Sequence, residues 1–583
     1  MSQRRSFLLL TTLATALLAA CSGPIPILEP AATKAVAAPA SPARPKLVVF
    51  IVIDGLPMRQ VLENREQFSP DGFRRFLDRG ATFMDAHYAH AHTVTAAGHS
   101  VMMTGAYPQR TGIISNEWVD PETRKPVYNT QDTDYHYIGN KTGPMAGTSP
   151  RMLQAETVGD VLRTADPLSK VLGISGKDRG AILPAGHKGT AYMYMSSTGQ
   201  FASSTYYMPQ HPQWVEAFNA AKPADALFGQ TWAPLLPDKC DDGSTRRQPV
   251  AGGPIYACDA YARSAADGQP FQSAEGSVNG NRLPAVLGQQ LSGPGPDFYK
   301  LILPTPYGDQ LTLAFARAAV EGEGLGQDDH PDILSVSLSS HDYINHAFGP
   351  ESKLSHDHML RLDRDLQAFF QYLDQRLGAG NYMAMLTADH GFADTPEWAK
   401  SLGRDAKRFG SKALVAHANV GLSMRFGEGK WVTETSAMGL LFDEKLIAQR
   451  GLKPDQVYLA ARDIMLMHPE VEAVFTPDQL RSNDERTPYL AQMRKSWHPE
   501  RAAPVQVIMK EGRLFSTRTS GSSHGTPYAY DHHVPILAWG PAWVGQGAVN
   551  RWVEVADIAP TLAGILKVGV PRQAQGKPLP LPR

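Results

Sequence analysis

The feature that most constrains the fold is an uninterrupted apolar run, Leu47–Ile53, which ends directly in Asp54-Gly55. Such a run is typical of a strand that is buried on both faces of a parallel sheet. A strand of this kind needs neighbouring strands and helices on both sides of its sheet. Asp54 then stands at the carboxyl end of the strand, at the edge where ligands bind in α/β sheets.

Further apolar runs along the chain also predict strands, and helical patterns separate them. They are Val171–Ile174, Ile333–Val336, Tyr382–Leu386 and Val534–Trp539. After Ser355, apolar residues recur at helical spacing until Gly378, which predicts a long helix. Alternating strands and helices predict an α/β fold with a mainly parallel central sheet flanked by helices.

Acidic and histidine residues recur next to these predicted strands. They are Asp54, Asp342, His346, Asp389, His390 and His524. Carboxylate oxygens and imidazole nitrogens together are typical ligands of zinc and similar divalent metals. Any one of them could instead be a helix cap or a packed core histidine. Their recurrence at strand ends favours a metal site, because burying a carboxylate without a partner is costly.

A polar segment lies between Asp54 and the later candidate ligands. It contains Thr95 and Gly98-His99, and it continues through a turn to Asn116. The order of these motifs, ending with Asp389-His390-Gly391, resembles the alkaline phosphatase superfamily. The similarity is greatest to phosphate-irrepressible alkaline phosphatases with a threonine nucleophile, which are related to nucleotide pyrophosphatases/phosphodiesterases. It covers nearly all of residues 46–571.

The resemblance implies a role for each candidate residue. It implies one zinc ion bound by Asp342, His346 and His524, and a second bound by Asp54, Asp389, His390 and the nucleophile Thr95. Cation coordination and a helix N-terminus after Thr95 would let its hydroxyl react as an alkoxide. Thr93 is the alternative nucleophile, although its spacing to Gly98-His99 differs from that of the family.

The resemblance also implies a class of substrate. Lys177 and Arg179 resemble the pair that the monoesterase branch places over the transferred phosphoryl group, and Asn116 matches a donor to another phosphoryl oxygen. A monoester carries an additional charged oxygen that favours two cations, whereas a diester carries a substituent there. The expected activity is hydrolysis of small-molecule phosphate monoesters through a phosphothreonine intermediate.

Several alternatives remain at this stage. A phosphodiesterase or nucleotide pyrophosphatase would use the same metals and Thr95, and Lys177 and Arg179 would then be solvated charges at a strand end. A sulfatase and a non-enzymatic binding protein are disfavoured by the motifs. Other histidines are assigned to packing or to loops: His87, His90, His92, His532 and His533. His356 and His358, at the start of the long helix, are expected to be exposed.

The N-terminal segment predicts export and membrane attachment. Residues 1–20 have two arginines followed by an apolar stretch too short to span a bilayer, which is typical of a signal peptide. Leu18–Cys21 resembles a bacterial lipobox, so a periplasmic protein anchored through lipidated Cys21 is expected, with the outer membrane favoured. Twin-arginine and general export both fit Arg4-Arg5. The six prolines within residues 22–45 predict a tether.

The rest of the chain is predicted to form one catalytic domain, residues 46–583. Cap insertions are expected at about 190–325 and 400–520, where the strand and helix rhythm is broken. Cys240 and Cys258 form an even pair in an exported protein, which favours a disulfide over two free buried thiols. The 56 Lys and Arg residues balance 57 Asp and Glu residues, so no nucleic-acid-binding module is expected. The oligomeric state is not specified by the sequence.

Overall fold

The computed structural model describes residues 44–236, 283–516 and 520–582, and it is built around a nine-stranded sheet. Numbered in chain order, the strands are β1 (Leu47–Ile53), β2 (Ala81–His87), β3 (Val171–Ser175), β4 (Thr190–Met195), β5 (Gln200–Ala202), β6 (Asp332–Leu338), β7 (Tyr382–Thr387), β8 (Ile536–Trp539) and β9 (Gly547–Glu554). Their order across the sheet is β9-β2-β8-β7-β1-β6-β3-β4-β5. The strand predicted from the first apolar run therefore lies at the centre of the sheet, and all its residues are buried.

The sheet is mainly parallel, as predicted. Strands β7, β1, β6, β3 and β4 form a continuous parallel block. β8 and β5 run antiparallel to their neighbours. Because the carboxyl ends of a parallel block lie at one edge, the residues that follow β1, β6 and β7 are brought together there.

Helices flank the sheet and connect its strands. Those of eight residues or more are Thr95–Thr104, Val158–Ala165, Asp178–Ala185, Gln213–Ala220, Pro306–Glu323, Ser340–Phe348, Lys353–Leu377, Ser411–Phe426, Pro454–Leu466 and Ile558–Leu566. Shorter α-helices are Met58–Glu63, Phe73–Arg79, Pro108–Thr111, Pro296–Lys300, Pro396–Ser401, Glu444–Gln449, Pro477–Arg481, Leu490–Ser496 and Ala529–His532. The long helix ends before Gly378 as predicted, and the φ of 82° at this residue lies in the left-handed region that glycine adopts easily.

A second, smaller sheet lies within residues 400–520. Its antiparallel strands are, in spatial order, Val432–Ser436, Gly439–Phe442, Val505–Met509 and Val471–Phe475. Helices Ser411–Phe426 and Pro454–Leu466 share an apolar core with this sheet around buried Trp431. By contrast, residues 190–202, which the sequence assigns to the first insertion, include β4 and β5 of the central sheet. The other insertion boundaries stay predictions.

Three predictions concern segments outside the described residues. The signal peptide with Cys21 and nearly all of the tether fall within residues 1–43, and Cys240 and Cys258 fall within residues 237–282. In the part of the chain that the structure describes, no helix combines the length and apolar character needed to cross a membrane.

The long helix corrects the expectation that His358 is exposed. His358 is fully buried, with Nε2 3.0 Å from Asp309 Oδ2 and Nδ1 3.1 Å from His341 Nδ1. Positions four residues apart share a helix face, and His358 precedes buried Leu362 and Leu366 at that spacing. The polar side chain is thus part of the buried stripe, where Asp309 and His341 supply its partners.

Asp365 on the same helix links stability to pH. Its Oδ1 lies 3.3 Å from Gln310 Nε2, and its buried Oδ2 accepts no hydrogen bond from the described residues. Burial raises the pKa of Asp365 to about 7, compared with about 4 in an unfolded chain. The folded state therefore binds this proton more tightly, and ionisation destabilises the fold increasingly from about pH 4 to pH 7.

We expect Asp365→Asn to increase the free energy of unfolding by about 2 kcal/mol more at pH 9 than at pH 4.5. Urea unfolding of variant and wild type at both pH values measures this difference. Asp463→Asn, at an exposed position of another helix, is the control. A stability gain of equal size at both pH values would contradict the ionisation argument.

Candidate active site

The predicted metal ligands converge at the carboxyl edge of the parallel block. Asp54 follows β1, Asp389-His390 come shortly after β7, and His524 lies on the segment that leads to β8. Asp342 and His346 lie on the helix Ser340–Phe348, which begins just after β6. Their i, i+4 spacing places both on one face of that helix, as predicted.

The ligating atoms form two groups, each with all its atoms within 4.8 Å of one another: Asp342, His346 and His524 in one, and Asp54, Asp342 and His390 in the other. Asp342 Oδ1 lies 3.3 Å from His346 Nε2 and 3.6 Å from His524 Nε2. Asp54 Oδ1 lies 3.5 Å from His390 Nε2. Asp342 therefore stands between the two groups, whereas the resemblance assigns it to one.

Each histidine of these groups is oriented by a backbone carbonyl. The Nδ1 atoms of His346, His390 and His524 lie 3.0, 2.8 and 2.9 Å from the carbonyl oxygens of Ser522, Gly391 and Thr93. Nδ1 therefore carries the proton and donates it, which leaves Nε2 of each ring as the acceptor that faces the carboxylates. Burial also lowers the pKa of His524 well below its ordinary value, so its ring is neutral.

Asp389 completes the site through two close backbone contacts. Its Oδ1 accepts a hydrogen bond of 3.0 Å from the N–H of Gly55, whose φ is 73°. Its carbonyl oxygen lies 2.0 Å from the position that a Cβ of residue 98 would take. Only glycine allows the Thr95 helix to approach Asp389 this closely. The structure therefore explains why a glycine follows Asp54 and why a glycine precedes His99.

Thr95 is the first residue of its helix and is almost fully buried. Its Oγ1 lies 3.5 Å from His390 Nε2, beside the second ligand group. The positive end of the helix dipole favours negative charge on this oxygen. The alternative nucleophile, Thr93, donates its hydroxyl to the carbonyl of Thr526 at 2.9 Å instead.

Lys177 lies among the ligand carboxylates rather than at the surface. It is 4% exposed, and its Nζ lies 2.5 Å from Asp342 Oδ2 and 2.7 Å from Asp54 Oδ2. Arg179 donates from Nη1 to the hydroxyl of Tyr128 at 3.2 Å. The burial of Lys177 rules out its interpretation as a solvated charge.

Asn116 lies beside Thr95 at the start of the helix. Its Oδ1 accepts a hydrogen bond of 2.8 Å from the N–H of Ala96, the residue after Thr95. This bond fixes the amide plane and leaves the Nδ2 end as the donor for a ligand. The structure thus brings all the predicted site residues to one edge of the sheet.

The unpaired oxygens of the site fit divalent cations. Asp54 Oδ1, Asp342 Oδ1 and Asp389 Oδ2 are buried, and none accepts a hydrogen bond from the described residues. Burial, followed by the charge of Asp389, raises the pKa of Asp54 well above its ordinary value. A buried carboxylate without a partner is costly, and divalent metals bind this combination of carboxylates and neutral imidazoles.

Comparison with known proteins identifies the family. The family model of type I phosphodiesterases / nucleotide pyrophosphatases matches residues 48–532, which is most of the chain. The chain belongs to this family. Alkaline phosphatase PafA of Elizabethkingia meningoseptica is 33% identical to this chain over 540 residues, covering 92% of this chain and 94% of PafA.

Two other relatives match over a similar length. Alkaline phosphatase PhoV of Synechococcus elongatus is 33% identical over 554 residues, covering 92% of this chain and 93% of PhoV. A Myroides odoratus protein named calcium-transporting ATPase is 34% identical over 546 residues, covering 92% and 94%. The predicted relationship to alkaline phosphatases and nucleotide pyrophosphatases is confirmed, and so is the prediction of an alkaline-phosphatase-type enzyme.

A solved structure of PafA confirms the fold. It superposes with a TM-score of 0.81 at 32% sequence identity, covering 92% of this chain and 98% of that chain. The PafA in that structure carries substitutions at a threonine, an asparagine, a lysine and an arginine, in this order along its chain. The chain described here has the same four residue types in the same order, at Thr95, Asn116, Lys177 and Arg179.

The structure adds a residue that the sequence analysis does not place in the site. His99 is fully buried, with Nδ1 2.9 Å from the Thr95 carbonyl oxygen and Nε2 2.8 Å from Ser337 Oγ. Its Nδ1 also lies 3.3 Å from Asp389 Oδ2. The signal for this role is the Gly98-His99 pair itself, one helical turn after Thr95.

Proposed function

We propose that this chain is an exported, zinc-dependent alkaline phosphatase that hydrolyses small-molecule phosphate monoesters through a phosphothreonine intermediate on Thr95. The observation that carries this proposal is the buried Lys177, held between Asp54 and Asp342 at the centre of the ligand set. A cation there suits a phosphoryl group with an additional negative oxygen, as in a monoester. The relatives named alkaline phosphatases support the same reaction.

Two zinc ions are proposed for the two ligand groups. One would be held by Asp342, His346 and His524, and the other by Asp54, Asp389, His390 and Thr95. When bound, such ions supply positive charge at the attacking and leaving oxygens and lower the pKa of water. Zinc is proposed because borderline metals favour mixed imidazole and carboxylate ligands.

The chain's own residues would carry out two successive displacements at phosphorus. In the first, the Thr95 hydroxyl releases its proton to solvent and its oxygen bonds to phosphorus as the ester P–O bond breaks. The leaving alcohol takes up a proton from solvent. In the second, water cleaves the phosphothreonine, releases inorganic phosphate and returns the proton to Thr95. Asn116 would donate to one phosphoryl oxygen, while Lys177 and Arg179 would neutralise the others. His99 would keep Thr95 in the first helical turn through its carbonyl.

Export and attachment are part of this proposal and rest on the sequence of the first residues. The lipobox-like Leu18–Cys21 supports a lipid anchor at Cys21, and the following prolines support a tether between that anchor and the folded body. The enzyme would then act in the periplasm on esters that reach it there. A Cys21→Ser variant that still fractionates with membranes would contradict the anchor.

The matched family model favours one second candidate function, phosphodiester hydrolysis at the same site. Monoester and diester hydrolysis would differ in the contacts to the phosphoryl oxygen that is free and charged in a monoester but substituted in a diester. Lys177 and Arg179 therefore offer the test.

We expect the zinc-loaded enzyme to prefer an aryl phosphate monoester to the matching methyl aryl diester. Replacing both Lys177 and Arg179 by Ala should lower kcat/KM for the monoester by about 10³-fold, because charge-assisted contacts to the phosphoryl group are lost. The diester should lose less than about 10-fold, since it has a substituent in that position. Lys188→Ala, at an exposed lysine, is the control. Diester preference in the wild type would favour the second candidate.

A further inference from the structure

A two-stranded hairpin connects the residues proposed to contact the phosphoryl group. Its strands are Glu117–Val119 and Pro126–Tyr128, and they pair antiparallel. Asn116 directly precedes the first strand, and Asn129 directly follows the second. The carbonyl oxygen of Asn116 accepts hydrogen bonds from the Asn129 N–H at 3.2 Å and from its Nδ2 at 2.7 Å. The open end of the hairpin is therefore closed at Asn116.

Tyr128, at the same end of the hairpin, reaches Arg179. Its hydroxyl donates a hydrogen bond to Asp178 Oδ1 and accepts one from Arg179 Nη1 at 3.2 Å. Burial, together with the charge of Asp178, raises the pKa of Tyr128, so the phenol keeps the proton that it donates. The hairpin thus contacts both Asn116 and Arg179.

Two backbone N–H groups also donate hydrogen bonds to Asp178. Its Oδ2 accepts a hydrogen bond of 3.1 Å from the N–H of Gly147, and its Oδ1 accepts one of 2.7 Å from the N–H of Arg179. A Cβ on residue 147 would lie 2.1 Å from Asp178 Oδ2, so a glycine is needed there. Asp178 also begins the helix Asp178–Ala185, where a negative charge is favourable.

Arg179 keeps hydrogen-bonding capacity after these contacts. Its Nε is buried and has no partner among the described residues. A buried guanidinium nitrogen without an acceptor is costly, and an anionic oxygen would satisfy it. The contacts with Tyr128 therefore hold one part of the guanidinium and leave another part for a ligand.

We propose that Tyr128, together with Asp178, is a positioning residue that directs Arg179 toward the phosphoryl group. Because Tyr128 and Asn116 lie at the same end of the hairpin, the hairpin also fixes the position of Arg179 relative to Asn116. This inference deepens the proposed function and rests on it. The residues that discriminate a monoester from a diester would then include one that never touches the substrate. Arg179 has a long side chain with many rotamers. Its contribution to phosphoryl binding therefore depends on a neighbouring group that holds the guanidinium in one orientation.

The first test compares Tyr128→Phe with wild type in the zinc-loaded, full-length enzyme. We expect kcat/KM for an aryl monoester to fall about 10-fold and the inhibition constant of inorganic phosphate to rise by a similar factor, because Arg179 is misplaced. The matching diester should change less than about 2-fold. Tyr192→Phe is the matched control: Tyr192 is a buried tyrosine of β4 whose hydroxyl contacts Met208 Sδ at 3.9 Å.

The second test is a double-mutant cycle with Arg179→Ala. If Tyr128 acts through Arg179, the double variant will be no slower than Arg179→Ala alone. Fully multiplicative effects, or an equal loss for monoester and diester, would overturn the inference. If Tyr128→Phe does not fold, as judged by thermal unfolding, Asp178→Asn takes its place in the same cycle. A wild type without monoester turnover would overturn the proposed function. An active wild type in which the two substitutions have fully multiplicative effects on the rate would overturn only the role of Tyr128.

Discussion

Thr95→Ala is expected to lower kcat for phosphate monoesters by at least about 10³-fold, because the covalent intermediate can no longer form. The fold should remain, since the Thr95 hydroxyl contacts only His390 Nε2, at 3.5 Å, among the described residues. The second zinc would keep its three other proposed ligands, Asp54, Asp389 and His390. Thr95→Ser should keep part of the activity, because it retains an oxygen at the first turn of the helix.

Steady-state rates and acid-quench trapping of labelled phosphate on the protein measure this effect. The wild type and Thr95→Ser should trap phosphate on residue 95, and Thr95→Ala should trap none. Thr93→Val is the matched control, because its hydroxyl is already bonded to the Thr526 carbonyl. A fully active Thr95→Ala with an inactive Thr93→Val would exchange the roles of the two threonines.

Removal of both zinc ions is expected to abolish activity and to lower the melting temperature by about 8 °C. The site buries three carboxylates, Asp54, Asp342 and Asp389, and Lys177 pairs with two of them. Each of the two zinc ions, if held at about 1,000 times its Kd, stabilises the folded state by about 4 kcal/mol. The melting temperature of a protein of this size shifts by about 1 °C per kcal/mol, because the entropy of unfolding grows with chain length. Restoring zinc after chelation should recover both properties.

Scanning calorimetry and metal analysis of chelated and reloaded protein measure this prediction. Asp342→Asn should lose most of the zinc-dependent shift, because Asp342 lies between both ligand groups. Asp363→Asn is the control: this buried carboxylate accepts hydrogen bonds from the backbone of Ser69 and Phe73, away from the site. It should lower the melting temperature equally with and without zinc. An unchanged melting temperature after complete metal removal would contradict the proposed centre.

The parts of the site that could be predicted are those with local signals. An apolar run followed by a carboxylate marks a strand end, and Asp342 and His346 mark one face of a helical turn. The family resemblance then supplied Thr95, Lys177 and Arg179, which the structure brings to the same edge of the sheet. His99 was not predicted as a site residue although the Gly98-His99 pair was noted, because that pair does not show which groups His99 contacts. Tyr128 was not predicted because a buried tyrosine has no distinctive pattern along the chain.

Four of the five strands of the parallel block, the types of ligand and the family were predicted from the sequence, because these depend on short-range patterns and on motif order. The fifth strand, β4, lies in a segment that the sequence analysis assigned to an insertion. The packing of the folded chain places Asp342 between two ligand groups, pairs Lys177 with it across 165 positions, and brings Tyr128 to Arg179. The same packing buries His358. Each of these contacts joins side chains that are far apart along the chain. Such contacts follow from how strands and helices pack, so no short segment of the sequence predicts them.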